Sequence, residues 1–208
     1  MASPLSELPN GASVFIDANV FHFYLRGPEE AKGICSFMLE RVEKREITGF
    51  TSSLVLDEVM YKMLLKSIEV KFRKNPLEVI QRTSEEIGSQ AKQVRKAVDI
   101  LLGIQNLEVL SVERHHVESS IDYMEKYSML PRDAIHLAVM KTAECSDVAS
   151  ADSDFDKIPI VKRWTPLAMK MEIRDRKNTH ASDKNEENTF KVLKGNERKS
   201  KKNITQTV

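Results

Sequence analysis

Short apolar stretches alternate along the chain with longer segments in which apolar residues recur every three or four positions. The run Val14-Phe15-Ile16 predicts a strand over about 13–17. Beyond Pro28, apolar side chains return at helical spacing and predict a helix over about 29–45. The stretch ITGFTSS then predicts a second strand, and the segment SLVLDEVMYKMLLK, which begins at a Ser cap, predicts another helix.

The same alternation continues through the second half of the chain. Thr83 and Glu86 have the spacing of a capping box, and the residues after them predict a helix over about 84–103. LEVLSV at 107–112 predicts a strand, two helices follow, and DVASAD at 147–152 predicts a short strand that ends in an acid. Strands that alternate with helices pair in parallel through right-handed crossovers, so the pattern predicts an α/β fold.

Composition divides the chain into a body and a tail. Apolar periodicity nearly disappears toward the end, which predicts one domain over 1–170 and a basic, mostly disordered tail over 171–208. From Lys170 onward there are 11 Lys and Arg against 6 Asp and Glu, a net charge of +5, which leaves −4 on the rest of the chain. The body is therefore not a simple cationic platform for nucleic acid.

Cysteine usage and hydropathy indicate where the protein works. Cys35 and Cys145 are far apart and match no metal or redox spacing, so we expect two plain buried thiols. No apolar run approaches the roughly 20 residues of a membrane span, and the first residues do not resemble a signal peptide. These observations predict a cytoplasmic protein without a membrane segment.

Several carboxylates are predicted to meet at one edge of the sheet. Asp17 ends the first strand, and Asp152 ends the last one, with Asp154 two residues further on. Glu58 and Asp133 lie in the first turns of helices that begin at that same edge. In open α/β sheets this edge, at the carboxyl ends of the strands, is where the functional crevice forms.

Clustered carboxylates need a compensating charge. Two unit charges 4 Å apart repel by about 4 kcal/mol at an effective dielectric near 20, and a divalent cation reverses that sign. Oxygen ligands without His or Cys favour Mg²⁺ or Mn²⁺, which can activate a water and stabilise charge on a phosphodiester oxygen. Taken alone, Asp17 is equally consistent with a helix cap, and Asp133 is better explained as an acid stabilised by the helix dipole. The joint pattern nevertheless favours a metal site.

Together these segments resemble the PIN-domain ribonucleases, in particular the VapC-type toxins. The matching segments are FIDANVFHFYL, TSSLVLDEV, LPRDAIHLAVM and VASADSDFDKIPIVKRWTP, in the order typical of that family. The resemblance implies a three-layer α/β/α fold with a twisted central parallel sheet, and Mg²⁺- or Mn²⁺-dependent cleavage of RNA. It further implies an acidic quartet with one additional acid and two supporting polar residues: Asp17, Glu58, Asp133 and Asp152, then Asp154, then Asn19 and Ser150.

The resemblance also implies partners, namely an RNA substrate, a second copy in a homodimer and, for a toxin, an antitoxin protein that blocks the crevice. Two alternatives are an RNA-processing nuclease and a PIN-like protein that binds RNA or protein without cutting. Arg132 and Lys157 adjoin the acids and are candidates for phosphate contacts, with ordinary surface charge as the equal alternative. The segment over about 68–103 is expected to be a helical insertion. His136, one turn after Asp133, is expected on a helix surface or partly buried, with a position facing the crevice as the alternative.

Overall fold

A computed structural model describes residues 2–167 of the 208-residue chain. The tail predicted over 171–208 lies outside the described residues. No helix among residues 2–167 combines the length and the apolar character needed to cross a membrane.

Strands and helices alternate through the described residues. The strands are β1 Ser3–Pro4, β2 Ser13–Ile16, β3 Thr48–Ser52, β4 Leu107–Leu110, β5 Asp147–Ala149 and β6 Lys162–Thr165. The helices are α1 Ala18–Arg26, α2 Glu29–Glu43, α3 Ser53–Phe72, α4 Pro76–Arg82, α5 Glu85–Leu102, α6 Arg114–Tyr127 and α7 Pro131–Thr142. Short 3₁₀ turns cover Leu5–Glu7 and Ser153–Lys157.

The strands form one sheet in the order β1-β6-β5-β2-β3-β4, and every neighbouring pair is parallel. In the middle of the sheet, Phe15 of β2 pairs with Val148 of β5 on one side and with Phe50 of β3 on the other. The chain runs from β2 outward to β3 and β4, then returns to β5 on the opposite side. The strand order therefore reverses between β2 and β5, which is where a crevice opens at the carboxyl ends of parallel strands.

The predicted α/β fold with a central parallel sheet is confirmed, but three elements escaped the sequence pattern. Helix α1 has only nine residues, so its apolar positions cover too few turns for a repeating pattern to stand out beside the strand that precedes it. Strand β1 has only two residues. Strand β6 contains Arg163, which looks like a surface residue but is buried. Its guanidinium donates to both carboxylate oxygens of Asp156, at 3.0 and 2.9 Å, which compensates the buried charge.

The capping box predicted at Thr83 and Glu86 is wrong. Thr83 ends α4, and the residue before α5 makes no side-chain cap. Glu86 instead forms an ion pair with Nζ of Lys71 at 2.6 Å and accepts a hydrogen bond from Ser89. This ion pair links α5 to α3, so the segment predicted as an insertion is helical and packs back onto the preceding helix.

Gly49 of β3 lets α2 pack directly on the sheet. A Cβ atom at this position would lie 2.8 and 2.9 Å from the two Cγ atoms of Val42 and 3.3 Å from Cδ1 of Ile16. Val42 and Ile16 are both fully buried, so neither can withdraw without disturbing a close-packed core. The absence of a side chain at Gly49 therefore sets the distance between helix and sheet.

We expect Gly49→Ala to lower the free energy of unfolding by about 1–3 kcal/mol, because overpacking forces side chains and backbone to shift. The matched control is Gly33→Ala on α2, where a Cβ meets no atom within 4 Å. That change should raise stability by about 0.5–1 kcal/mol, since Ala favours a helix more than Gly does. Urea unfolding of both variants measures the two effects, and a Gly49→Ala protein as stable as the parent would contradict the packing argument.

Candidate functional site

Asp17 lies where β2 ends and is held by three donors. It is the residue before α1, and its Oδ1 accepts a hydrogen bond from the Ala18 amide at 2.6 Å. Its Oδ2 accepts from the Ser150 hydroxyl at 2.6 Å and from the Asn19 side-chain amide. The side chain thus caps a helix, and it also faces residues at the end of the neighbouring strand β5.

Ser150 and Asn19 connect the ends of β2 and β5. The Ser150 hydroxyl donates to Asp17 and accepts from the Asn19 side-chain amide at 3.0 Å and the Asp152 backbone amide at 2.9 Å. Oδ1 of Asn19 accepts from the Ala151 amide at 2.9 Å. Ser150 and Asn19 therefore orient the Asp17 carboxylate and tie it to the backbone that leads from β5 to Asp152.

Asp152 precedes the 3₁₀ turn that follows β5. Its Oδ1 accepts from the Asp154 amide at 2.8 Å. Burial raises the pKa of Asp152, and the negative charges of Asp154 and Asp17 raise it further. The hydrogen bond from the Asp154 amide and the positive charge of Arg163 lower it only in part. Asp154 itself forms an ion pair with Nζ of Lys157 at 2.8 Å, so Lys157 neutralises an acid beside the site.

Glu58 lies in the second turn of α3 and is paired with His136 of α7. Its Oε1 accepts from Nε2 of His136 at 2.7 Å, and the two side chains are only 11% and 1% exposed. Burial acts to raise the pKa of Glu58, but the hydrogen bond and charge of His136, with Lys62 and Arg132, bring it below its usual value. Burial likewise opposes the charged form of His136, but the hydrogen bond to Glu58 and nearby acids raise its pKa.

The expectation that His136 lies on a helix surface or is partly buried is wrong. The residue is fully buried, and its ring lies 5.7 Å from the ring of Phe15, centroid to centroid. A sequence signal did exist. His136 is the one polar residue in the run Ala134–Met140, whose other members are apolar and mostly buried, and it follows Asp133 by one helical turn. A polar side chain in such a run needs a buried partner.

Asp133 lies in the first turn of α7 and is electrostatically coupled to the other three acids of the predicted quartet. Burial raises its pKa to about 7, the charges of Asp152, Asp17 and Glu58 act in the same direction, and His136 partly offsets them. Within the described part of the chain, no group donates a hydrogen bond to its carboxylate. The structure therefore brings the predicted acids into one interacting cluster in which Asp133 is the least compensated.

The donor chemistry of this cluster fits a hard divalent cation. Its four acids supply carboxylate oxygens only, and the excess negative charge around Asp133 is what such a cation would offset. No three His, Cys, Asp or Glu side chains within residues 2–167 are grouped closely enough to hold a metal ion by themselves. Mg²⁺ tolerates this arrangement, because it keeps several waters and needs only one or two direct carboxylates.

The sequence pattern of the PIN domain matches residues 14–161, which include all four of these acids. The chain belongs to the PIN domain family. Ribonuclease VapC2 of Methanocaldococcus jannaschii is 24% identical over 152 residues, which span 72% of this chain and 91% of that protein. Ribonuclease VapC13 of Mycobacterium tuberculosis is 38% identical over 71 residues, 34% of this chain and 53% of that protein.

Solved structures that are similar to this PIN domain include the following two. VapBC2 from Rickettsia felis, bound to a DNA fragment from its promoter, is 16% identical with a TM-score of 0.48 over 74% of this chain and 98% of that one. VapC20 of Mycobacterium tuberculosis, a toxin that cleaves the sarcin-ricin loop, is 15% identical with a TM-score of 0.47 over 72% and 97% of the two chains.

We expect Asp133→Asn to stabilise the metal-free PIN domain near pH 8. The folded-state pKa of about 7 lies above the usual 3.8, so the folded protein binds this proton more tightly than the unfolded chain does. The resulting stability is complete below about pH 4 and is lost as the pH rises through about 7. Removing the carboxyl should flatten that decline and raise the free energy of unfolding near pH 8 by on the order of 2 kcal/mol.

Urea unfolding in EDTA across this pH range measures the effect. Asp122→Asn is the matched control, because Asp122 is an exposed acid on α6 and the same change there should alter stability by less than about 0.5 kcal/mol. If the free energy of unfolding of the parent and of Asp133→Asn depended on pH in the same way, ionised Asp133 would not destabilise the folded protein.

Proposed function

We propose that this PIN domain is a divalent-metal-dependent endoribonuclease that hydrolyses phosphodiester bonds in RNA. The observation that carries the proposal is the convergence of four interacting acids at the point where the strand order of the sheet reverses. An ordinary structural role does not account for Asp133, whose charge is opposed by burial and by its three acidic neighbours. The names of the relatives, which are ribonucleases, support RNA as the substrate.

The acids take different roles in this proposal. Asp17 and Asp152 would be direct ligands, because the Ser150 hydroxyl already orients the Asp17 carboxylate and the Asp154 amide orients the Asp152 carboxylate at adjoining strand ends. Glu58 and Asp133 hold ordered waters and position or deprotonate the attacking one. When Mg²⁺ or Mn²⁺ is bound, it supplies a Lewis acid that lowers the pKa of water and stabilises charge on the phosphate. Asp154 is a weaker candidate ligand, since Lys157 already pairs with it.

Two cations beside the cluster are candidates for contacts with the RNA phosphates. Nη1 of Arg132 lies 4.0 Å from Oε2 of Glu58, and the Arg132 side chain is 53% exposed, so it can turn toward a substrate. Lys157 would have to exchange its pairing with Asp154 for a phosphate. We therefore propose Arg132 as the principal phosphate contact and Lys157 as a secondary one.

We propose further that the enzyme is the toxin of a toxin–antitoxin pair and acts as a homodimer, with an antitoxin protein that blocks the crevice. The order of its motifs and the VapC names of its relatives support this assignment. An RNA-processing nuclease with the same chemistry is the alternative, and the two differ in what uncontrolled activity does to a cell.

Asp152→Asn is the sharpest test of the metal site. The amide keeps an oxygen that can accept from the Asp154 amide, but it removes a charge that burial disfavours, so metal-free stability should stay equal or rise. Metal-dependent RNA cleavage should fall at least about 100-fold. In the parent, Mn²⁺ at 100 times its dissociation constant should add about 2.7 kcal/mol to the stability, EDTA should remove it, and the variant should lose most of it.

Cleavage assays and thermal melts with and without Mn²⁺ measure both effects, with Asp122→Asn as the control that changes neither. Asp17→Asn is a less specific test of the metal site, because its NH₂ group would face the two groups that donate to Asp17, on Ser150 and Asn19, and could destabilise the fold as well. A repurified Asp152→Asn protein that cuts RNA as fast as the parent would place the active site elsewhere. A parent melting temperature that is constant across millimolar Mn²⁺ would refute the metal site.

The toxin assignment predicts that induced expression of the parent chain arrests growth of a bacterial host, because unrestrained cleavage of cellular RNA stops protein synthesis. Asp152→Asn, expressed to the same level, should leave the growth rate unchanged. Growth curves and immunoblots measure the two quantities. Normal growth at high levels of active parent enzyme would favour the RNA-processing alternative.

A further inference from the structure

His136 has one polar contact among the described residues, and that contact is a site acid. Its Nε2 lies 2.7 Å from Oε1 of Glu58, while its Nδ1 is buried and has no hydrogen-bond partner there. The rest of the ring is enclosed by the core and lies beside the ring of Phe15. A histidine that only served the core would be expected to bond to the backbone or to a structural side chain.

We propose that His136 is a positioning residue for the metal site, which fixes Glu58 so that Oε1 is held inside the protein and Oε2 faces the crevice. The inference rests on the proposed function. Two atoms define the orientation of the carboxylate. Oε1 is bonded to a fully buried ring, and Oε2 lies toward Arg132, whose side chain is half exposed.

Glu58 needs such an anchor more than the aspartates do. A glutamate has one more rotatable bond than an aspartate and loses more rotamer freedom when it is ordered. Asp17 is held by three donors and Asp152 by a backbone amide, but no backbone amide within residues 2–167 donates to Glu58. His136 therefore does for Glu58 what Ser150 and Asn19 do for Asp17.

The direction of the hydrogen bond follows from the chemistry of the two groups. An ionised carboxylate only accepts, so the proton lies on Nε2 of His136 whether or not Nδ1 also carries one. Asp133 and His136 are three residues apart on α7 and share one face of that helix. A single rigid helix thus presents one acid to the site and orients a second acid that comes from α3.

Two amide substitutions separate the hydrogen bond from the bulk of the ring. In His136→Gln the side-chain amide nitrogen reaches about as far as Nε2 does, whereas in His136→Asn the same amide is one methylene too short. We expect His136→Asn to weaken Mn²⁺ binding and to lower kcat for RNA cleavage by about 10- to 100-fold, with KM for RNA little changed. His136→Gln should stay within about threefold of the parent in both quantities.

Two further variants make the comparison specific. His115→Asn is the matched control, because His115 is an exposed histidine on α6 and its substitution should change neither quantity. In a Glu58→Gln background, adding His136→Asn should lower Mn²⁺ affinity and kcat little further, because the effects of two residues that act through each other are not additive. Mn²⁺ affinity is measured on the full chain by calorimetry without RNA, so binding is read separately from turnover.

The outcomes distinguish this proposal from the proposed function. A parent that neither binds Mn²⁺ nor cuts RNA refutes the nuclease assignment itself. A parent that does both, with His136→Asn and His136→Gln either equally active or equally impaired, refutes the positioning role, because the hydrogen bond would not be the difference.

A measurement on the unsubstituted protein covers the case in which the Asn variant does not fold. Saturating Mg²⁺ should shift the ¹⁵N resonances of the His136 ring in the parent and leave them in place in Glu58→Gln. Ring resonances that do not respond to Mg²⁺ in a parent protein that binds the ion would overturn the proposal.

Discussion

Electrostatic repulsion among buried carboxylates is the constraint around which this PIN domain is arranged. Burial and three acidic neighbours raise the pKa of Asp133 to about 7, so the folded structure disfavours a state in which all four carboxylates are ionised. The surrounding structure compensates each of the other acids separately, through amides and hydroxyls at Asp17 and Asp152 and through a histidine at Glu58. The negative charge at Asp133 has no such compensation from a hydrogen bond within residues 2–167, and a divalent cation would balance it.

The topology of the sheet explains why the acids meet at all. Strands β2 and β5 are adjacent, although more than a hundred residues separate them, and Ile16 pairs with Ala149 just before Asp17 and Ser150. Helices α3 and α7 begin near the same edge and contribute Glu58 and Asp133. Loops at a sheet edge can vary in length without moving the strand ends, which is compatible with the long helical segment from α3 to α5 between two site residues.

Much of the fold and of the site was predictable from residue types and spacing. Parallel α/β architecture followed from the alternation of strands and helices, and an acid after each of two apolar strands indicated which sheet edge would carry chemistry. The elements that escaped prediction are those whose local signal is weak or misleading. Helix α1 has only nine residues, β6 contains a buried arginine that pairs with Asp156, and Glu86 bonds to Lys71 instead of capping its own helix.

The sequence by itself determined which residues are ionisable, which segments must be buried and in what order they follow, because these properties depend on side-chain chemistry and local spacing. Only the tertiary structure decided which charges compensate one another. The partners of Glu58 and Asp17 come from residues 78 and 133 positions away, His136 and Ser150, and no local pattern encodes that proximity. The burial of His136 likewise depends on how α7 packs against β2, where its ring lies beside Phe15. Its hydrogen bond to Glu58 forms only after the sheet and helices have assembled, because the two residues lie on distant segments.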